Sequence, residues 1–179
     1  MLAVALDAGD VACFQLYLAD GDDDAYRAAA RALVPVCQER GVAFLFNGHL
    51  HLVAETGADG VHVQGPVRGL RRKLPVGAIL GAGCGLSRHE AMEAGEADAD
   101  YVSFGPWGSE AAGLLSWWQL VMELPCVAAG GIGLAESGPA AAAGADFVLL
   151  RGAVWDAPHG PAAAVAAAAE SVANPPARW

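Results

Sequence analysis

The phrase Gly57-Ala58-Asp59-Gly60-Val61 returns later in the chain as Gly144-Ala145-Asp146-Phe147-Val148. Ala97-Asp98-Ala99-Asp100-Tyr101 is a weaker third copy. Each phrase joins a stretch of helical periodicity to a short apolar run. A recurring helix-to-strand joint is expected when one βα unit is reused around a barrel. Seven runs read as strands: residues 12–18, 43–47, 60–64, 78–84, 101–105, 126–130 and 147–151. Most are nearly continuous in apolar character rather than alternating, as in parallel strands buried on both faces.

Helical periodicity covers 24–39, 49–56, 114–123, 134–143 and 161–172. A further helix, 87–97, opens on Ser87-Arg88-His89-Glu90, an S-x-x-E capping box. Gly41, Gly57 and Gly144 each stand where a helix ends before a strand, as glycines just past a helix do. The expected fold is α/β, a single (β/α)8 TIM barrel domain over residues 1–179, with 174–179 a tail. A doubly wound sheet is the alternative. Strands of about five residues at regular spacing favour the barrel.

The charge balance narrows the partners. Ten Lys and Arg face twenty Asp and Glu, a formal net charge of −10. Such a chain is a poor ligand for a phosphate backbone, so neither nucleic acid nor an anionic membrane is an expected partner. Apolar runs are interrupted well short of a membrane span. No basic flank marks a secretory leader, and cytoplasmic localisation is expected. Cys13, Cys37, Cys84 and Cys126 include no CxxC spacing. Cys13, Cys84 and Cys126 fall in strand-like runs and read as buried free thiols.

Several phrases, in order, carry a family resemblance: Asn47 through Gln64, Ala99-Asp100-Tyr101-Val102-Ser103-Phe104-Gly105-Pro106, Leu124-Pro125-Cys126-Val127-Ala128-Ala129-Gly130-Gly131-Ile132, and Gly144-Ala145-Asp146, with Phe14-Gln15-Leu16 ahead of them. The chain resembles the thiamine phosphate synthase and thiazole tautomerase (TenI-like) superfamily over about residues 3–172. The resemblance implies a (β/α)8 barrel that joins a pyrimidine diphosphate to a thiazole phosphate with magnesium. It also implies that the first strand is missing here, with Leu2–Gly9 the remnant of the first helix. A later start than the natural one, Leu2–Leu6 as a replacement strand, or a partner over the gap would each account for this.

The chemical departures are sharper. The family motif QLRxK gives an Arg and a Lys to the diphosphate, where this chain has Tyr17 and Ala19. Its metal-binding Asn-Asp is Asn47-Gly48, and its second metal-binding Asp falls near Pro66 and Val67. Its lysine-bearing PTxTK loop is replaced by Trp107 through Gly113. Magnesium needs oxygen ligands, and a diphosphate leaving group needs clamped positive charge. No cofactor and no metal are therefore expected. The tautomerase branch has Asn-Gly at the same place and a catalytic His in a GxSxHS segment. His89 is the catalytic candidate on an ungapped reading, whereas strand register puts Gly85 in that position.

The expected binding residues are Gln15, Asn47, His62, Gly130, Gly131, Arg151 and Gly152. Turns after the last two barrel strands often build a phosphate site from backbone N–H groups, which glycine lets an anion approach. Arg151 either adds a charged contact or points into the helix layer. His62 reads equally as a core histidine. His49, His51 and His62 suggest a metal, but no carboxylate is placed in sequence to help. Asp20, Asp22, Asp23 and Asp24 form an acidic run that helix-dipole stabilisation and solvation at a helix start account for, with a cation site there as the alternative. Trp117 and Trp118 are adjacent on a helix, so one faces outward and marks an interface. Ala163, Val165 and Ala167 read as core or dimer surface. The readings left open are a thiamine phosphate synthase family protein with doubtful synthase activity, a non-catalytic phosphate-ester binding or regulatory paralogue, a thiazole tautomerase-like enzyme, and another phosphate-handling barrel enzyme. A small phosphorylated ligand is the expected partner, and a homodimer is left open.

Overall fold

A computed structural model describes residues 1–176, so part of the expected tail, 177–179, lies outside the described residues. Seven strands follow one another in a single sheet: β1 Cys13–Leu16, β2 Ala43–Asn47, β3 Gly60–Gln64, β4 Ile79–Gly83, β5 Tyr101–Phe104, β6 Cys126–Ala128 and β7 Phe147–Val148. Their spatial order is their chain order, and every neighbouring pair is parallel. Among the described residues no pairing joins β7 to β1. The sheet is an open barrel wall, one strand short of eight; a closed barrel is not what these strands form.

The helices are α1 Leu2–Leu6, α2 Asp23–Gln38, α3 Val53–Thr56, α4 Arg88–Glu96, α5 Ser109–Val121, α6 Ser137–Ala142, α7 Gly152–Trp155 and α8 Pro161–Ala173. Leu2–Leu6 is helical, which removes the replacement-strand option. Its apolar residues Leu2, Ala5 and Leu6 have the i, i+3, i+4 spacing of one helix face, and Ala5 and Leu6 are buried. It packs between α8 and α2 and is tied to the end of α2 by the Arg40–Asp7 ion pair, 2.8 Å. Beside Gly9 a Cβ would stand 3.0 Å from Ala169 of α8, so the chain passes close there. The helix layer thus bridges the opening that the strand layer leaves.

The repeated Asp has one structural task. Asp59, Asp100 and Asp146 each accept, through Oδ2, the backbone N–H of a residue at the start of the preceding strand: Phe44 (2.7 Å), Leu80 (2.7 Å) and Cys126 (2.8 Å). The same Asp donates its own N–H back to that residue's carbonyl, at 2.9, 2.8 and 3.0 Å. Each joint is a two-bond staple that fixes parallel register where the ladder begins. Gly57 and Gly144 enter it with φ of 72° and 106°, and Asp98 takes the same place with φ of 61°. Only glycine adopts that region without cost, so the third copy is the strained one.

One hydrophobic cluster runs between sheet and helices, with Phe44, Phe46, Leu80, Val102, Phe104 and Trp118 almost fully buried. Trp118 donates its indole N–H to the Leu124 carbonyl at 2.7 Å. Trp117 is half-buried, and the Arg88 guanidinium lies 4.5 Å from its ring centroid, so it is not the bare outward surface expected. On α8 the buried stripe is Ala164 and Ala168, while Ala163 and Ala167 are exposed, a register one residue from the expected one. Cys84 and Cys126 are buried, but Cys13 is exposed, because β1 is an edge strand. No helix among the described residues is long and apolar enough to cross a membrane.

Candidate functional site

In a parallel sheet every strand delivers its last residue to the same end. There the turns after β1 to β7 enclose a cleft of about 980 Å³. Gln15, Asn47, Gly130, Gly131, Arg151 and Gly152 all line it. So do Phe14, Tyr17, Gln64, Gly85, Ser103, Ile132 and Trp155. A smaller hollow of about 540 Å³, lined by Gln38, Ala58, Asp59 and Gly77 among others, lies at the opposite end of the strands, where barrels carry stability rather than chemistry.

Arg151 supplies the cleft's one charged lining side chain among the described residues; no carboxylate lines it. Its guanidinium lies 4.7 Å from the Tyr17 ring centroid, so it faces the cleft mouth and not the helix layer. Trp155 meets Phe14 edge to face, with ring centroids 6.2 Å apart. These two contacts link the β7 end to the β1 end across the sheet opening. Deeper in, Gln15 Nε2 is buried without a hydrogen-bond partner. An unpaired buried amide donor costs about 1–3 kcal/mol, so it is poised to gain from an acceptor entering the cleft.

The turn after β6 runs Gly130 and Gly131 at φ of 80° and 81°. A Cβ on Gly130 would stand 2.9 Å from Pro106 Cα, which makes that glycine a packing requirement. At Gly131 nothing lies within 4 Å of the same position. Among the described residues the amides of Gly130, Gly131 and Gly152 donate to no other group. The Gly133 amide is already taken by Glu136, at 3.0 Å.

Two candidates fall outside the cleft. His62 is 2% exposed, between the Tyr101 hydroxyl (3.0 Å from Nδ1) and the Gln64 amide (3.1 Å from Nε2). That pattern suits a neutral ring that donates from Nδ1 and accepts at Nε2, a tautomer assigned from the partners. Burial pushes its pKa down to about 4. His62 is the core histidine of the two readings. His89 lies on α4, its side chain 82% exposed beside Glu93 at 3.7 Å. Ser87 caps that helix by accepting the Glu90 N–H at 3.2 Å, and Gly85 reaches the cleft in place of a histidine.

The resemblance implies magnesium, which takes hard oxygen donors, typically one or two carboxylates alongside substrate phosphates. A lining without a carboxylate does not fit that ion. Sequence reasoning missed Tyr17, Trp155 and Ser103 as lining residues. No local pattern signals Trp155, which reaches the cleft through its contact with Phe14 across the sheet opening. Sequence reasoning also left His49 and His51 without an acid, whereas the fold places Asp23 against both: Oδ1 is 3.2 Å from His49 Nδ1 and Oδ2 is 2.7 Å from His51 Nε2. The hydrogen bond to His51, then that to His49, holds the Asp23 carboxyl below its usual range.

Fold and cleft together define an open parallel β/α barrel with a glycine-rich, nearly uncharged site at the carboxyl ends of its strands. Its sequence matches the family described as thiamine monophosphate synthase (TMP-TENI) over residues 1–154, and the chain belongs to that family. The thiamine-phosphate synthase of Rhodospirillum centenum is 49% identical, over 92% of this chain and 86% of that protein. That of Hyphomonas neptunium is 44% identical, over 93% and 82%. The solved thiamine phosphate pyrophosphorylase of Pyrococcus furiosus superposes with a TM-score of 0.86 at 22% identity, over 96% of this chain and 87% of that one, a likeness of fold.

Proposed function

We propose that the cleft binds a phosphorylated heteroaromatic molecule of thiamine biosynthesis, thiazole phosphate or thiamine phosphate, and that magnesium-dependent pyrimidine transfer there is slight. The observation that carries this is the lining: three free glycine amides and one arginine, with no acidic side chain. Oriented amides and one guanidinium suit the oxygens of a monophosphate. Phe14, Tyr17 and Trp155 offer an aromatic wall for a ring, and Gln15 Nε2 offers a donor to its acceptor atom. A departing diphosphate develops more charge than one arginine offsets. Each missing donor to such a transition state costs about 2.7–4 kcal/mol. The lining also argues against tautomerase chemistry, since Gly85 and not a histidine reaches it.

Calorimetric titration with each phosphate, alongside a turnover assay with both substrates and magnesium, tests this. Saturable binding with little product is the expected result. Arg151→Ala should weaken binding by about 10-fold or more, as loss of a charge-assisted bond does. Robust turnover would contradict the charge argument, and no binding of either phosphate would contradict the site.

A further inference from the structure

We propose that Asp23, His49 and His51 form a binding site for one divalent transition-metal ion of the Zn²⁺, Co²⁺ or Ni²⁺ type, on the rim outside the cleft. Their ligand atoms all lie within 4.8 Å of one another. The convergence follows from topology. Asp23 opens α2 after β1, while His49 and His51 lie in the turn after β2, and β1 and β2 are parallel neighbours. The two loops therefore emerge side by side at the carboxyl end of the sheet.

The donors are already held close to what a metal needs. A tetrahedral ion with bonds of about 2.0–2.2 Å sets its ligand atoms roughly 3.3–3.6 Å apart. Asp23 Oδ1 stands 3.2 Å from His49 Nδ1 and Oδ2 stands 2.7 Å from His51 Nε2, so a bound ion would replace these two hydrogen bonds with one carboxylate oxygen and two ring nitrogens as ligands. His49 is fixed from behind. Its ring stacks on Tyr26 with centroids 3.7 Å apart, and its backbone sits at φ of 30°, a left-handed conformation uncommon outside glycine. Tyr26 is itself 2% exposed, its hydroxyl bonded to the Leu18 amide and carbonyl at 2.9 and 3.2 Å.

Neighbouring charges leave Asp23 to the imidazoles. Asp22 caps α2 by accepting the Ala25 N–H, and Arg27 is paired with Asp24 and Glu55. Two imidazoles and one carboxylate suit borderline metals, whereas magnesium prefers all-oxygen surroundings. Three protein ligands leave a fourth position open to water or an anion. This site uses neither the cleft glycines nor Arg151, so it stands apart from the proposed phosphate binding.

The test is titration of untagged, chelator-treated protein with Co²⁺, followed by its visible d–d absorption, with Zn²⁺ as competitor. The expected result is one Co²⁺ per chain, displaced by Zn²⁺, with affinity falling at least ~10-fold in His51→Ala and in Asp23→Asn. His159→Ala, an exposed histidine elsewhere, should leave the titration unchanged. The His51 side chain is 58% exposed, so its removal leaves the fold intact, and circular dichroism confirms that for both variants. No saturable Co²⁺ uptake, or uptake equal in both variants and the parent, would overturn the proposal and leave the cluster as a hydrogen-bonded His–Asp–His group.

Discussion

His62 takes a proton near 6.5 when free and at about 4 in its buried position. Above 6.5 both folded and unfolded states hold it neutral. Between the two values the unfolded state binds a proton that the folded state refuses, so stability falls as pH falls through that window. The full effect is on the order of 3 kcal/mol. Urea midpoints measured between pH 7 and pH 4 should show this slope in the parent and a flatter one in His62→Gln. Asp98 gives the opposite kind of case. It occupies a left-handed position that glycine holds in the other two joints. Asp98→Gly should raise stability by about 1 kcal/mol, read as a higher urea midpoint, because the strain is relieved while the backbone bonds to Arg71 use only its carbonyl.

At the scale of elements, the Gly-Ala-Asp joint is the unit that builds the sheet. Asp59→Ala or Asp146→Ala removes the acceptor from a backbone N–H near the start of one strand, Phe44 or Cys126, and should lower stability by about 1–3 kcal/mol with the sheet otherwise intact. Denaturant unfolding of each single variant measures it. The joints were legible in sequence because the same physical task leaves the same residues behind. β2 and β3 matched their apolar runs to the residue, and Ser87 capped its helix as the S-x-x-E spacing indicated. β6 and β7 came out shorter than their runs, because the residues after them turn away from the ladder to form the cleft. The rim cluster was legible only as separate halves, the His49 and His51 pair and the acidic run holding Asp23, and not as one group. Asp23 and His49 are separated by a helix and a strand, and only the parallel pairing of β1 with β2 brings their loops together. Trp155 was hidden for a similar reason: it meets Phe14 across the sheet opening, a contact that periodicity does not encode.

The whole molecule is an open wall of seven strands whose helix layer is more continuous than its sheet. Cooperative strength should therefore be centred on β3 to β5, with the two edges weaker. Native-state hydrogen exchange should find the slowest amides in those central strands and the fastest strand amides in β7, which has two residues and a half-exposed Phe147. That weak edge adjoins the turn of Arg151 and Gly152, so part of the cleft rests on the least protected element, and a bound phosphate should slow exchange there. The account depends most on where that phosphate sits. Amide NMR of the ¹⁵N-labelled protein during a thiamine phosphate titration reads this directly. The Gly130, Gly131 and Gly152 resonances should shift together and saturate with the calorimetric binding curve. Binding that leaves those three amides unmoved would contradict it.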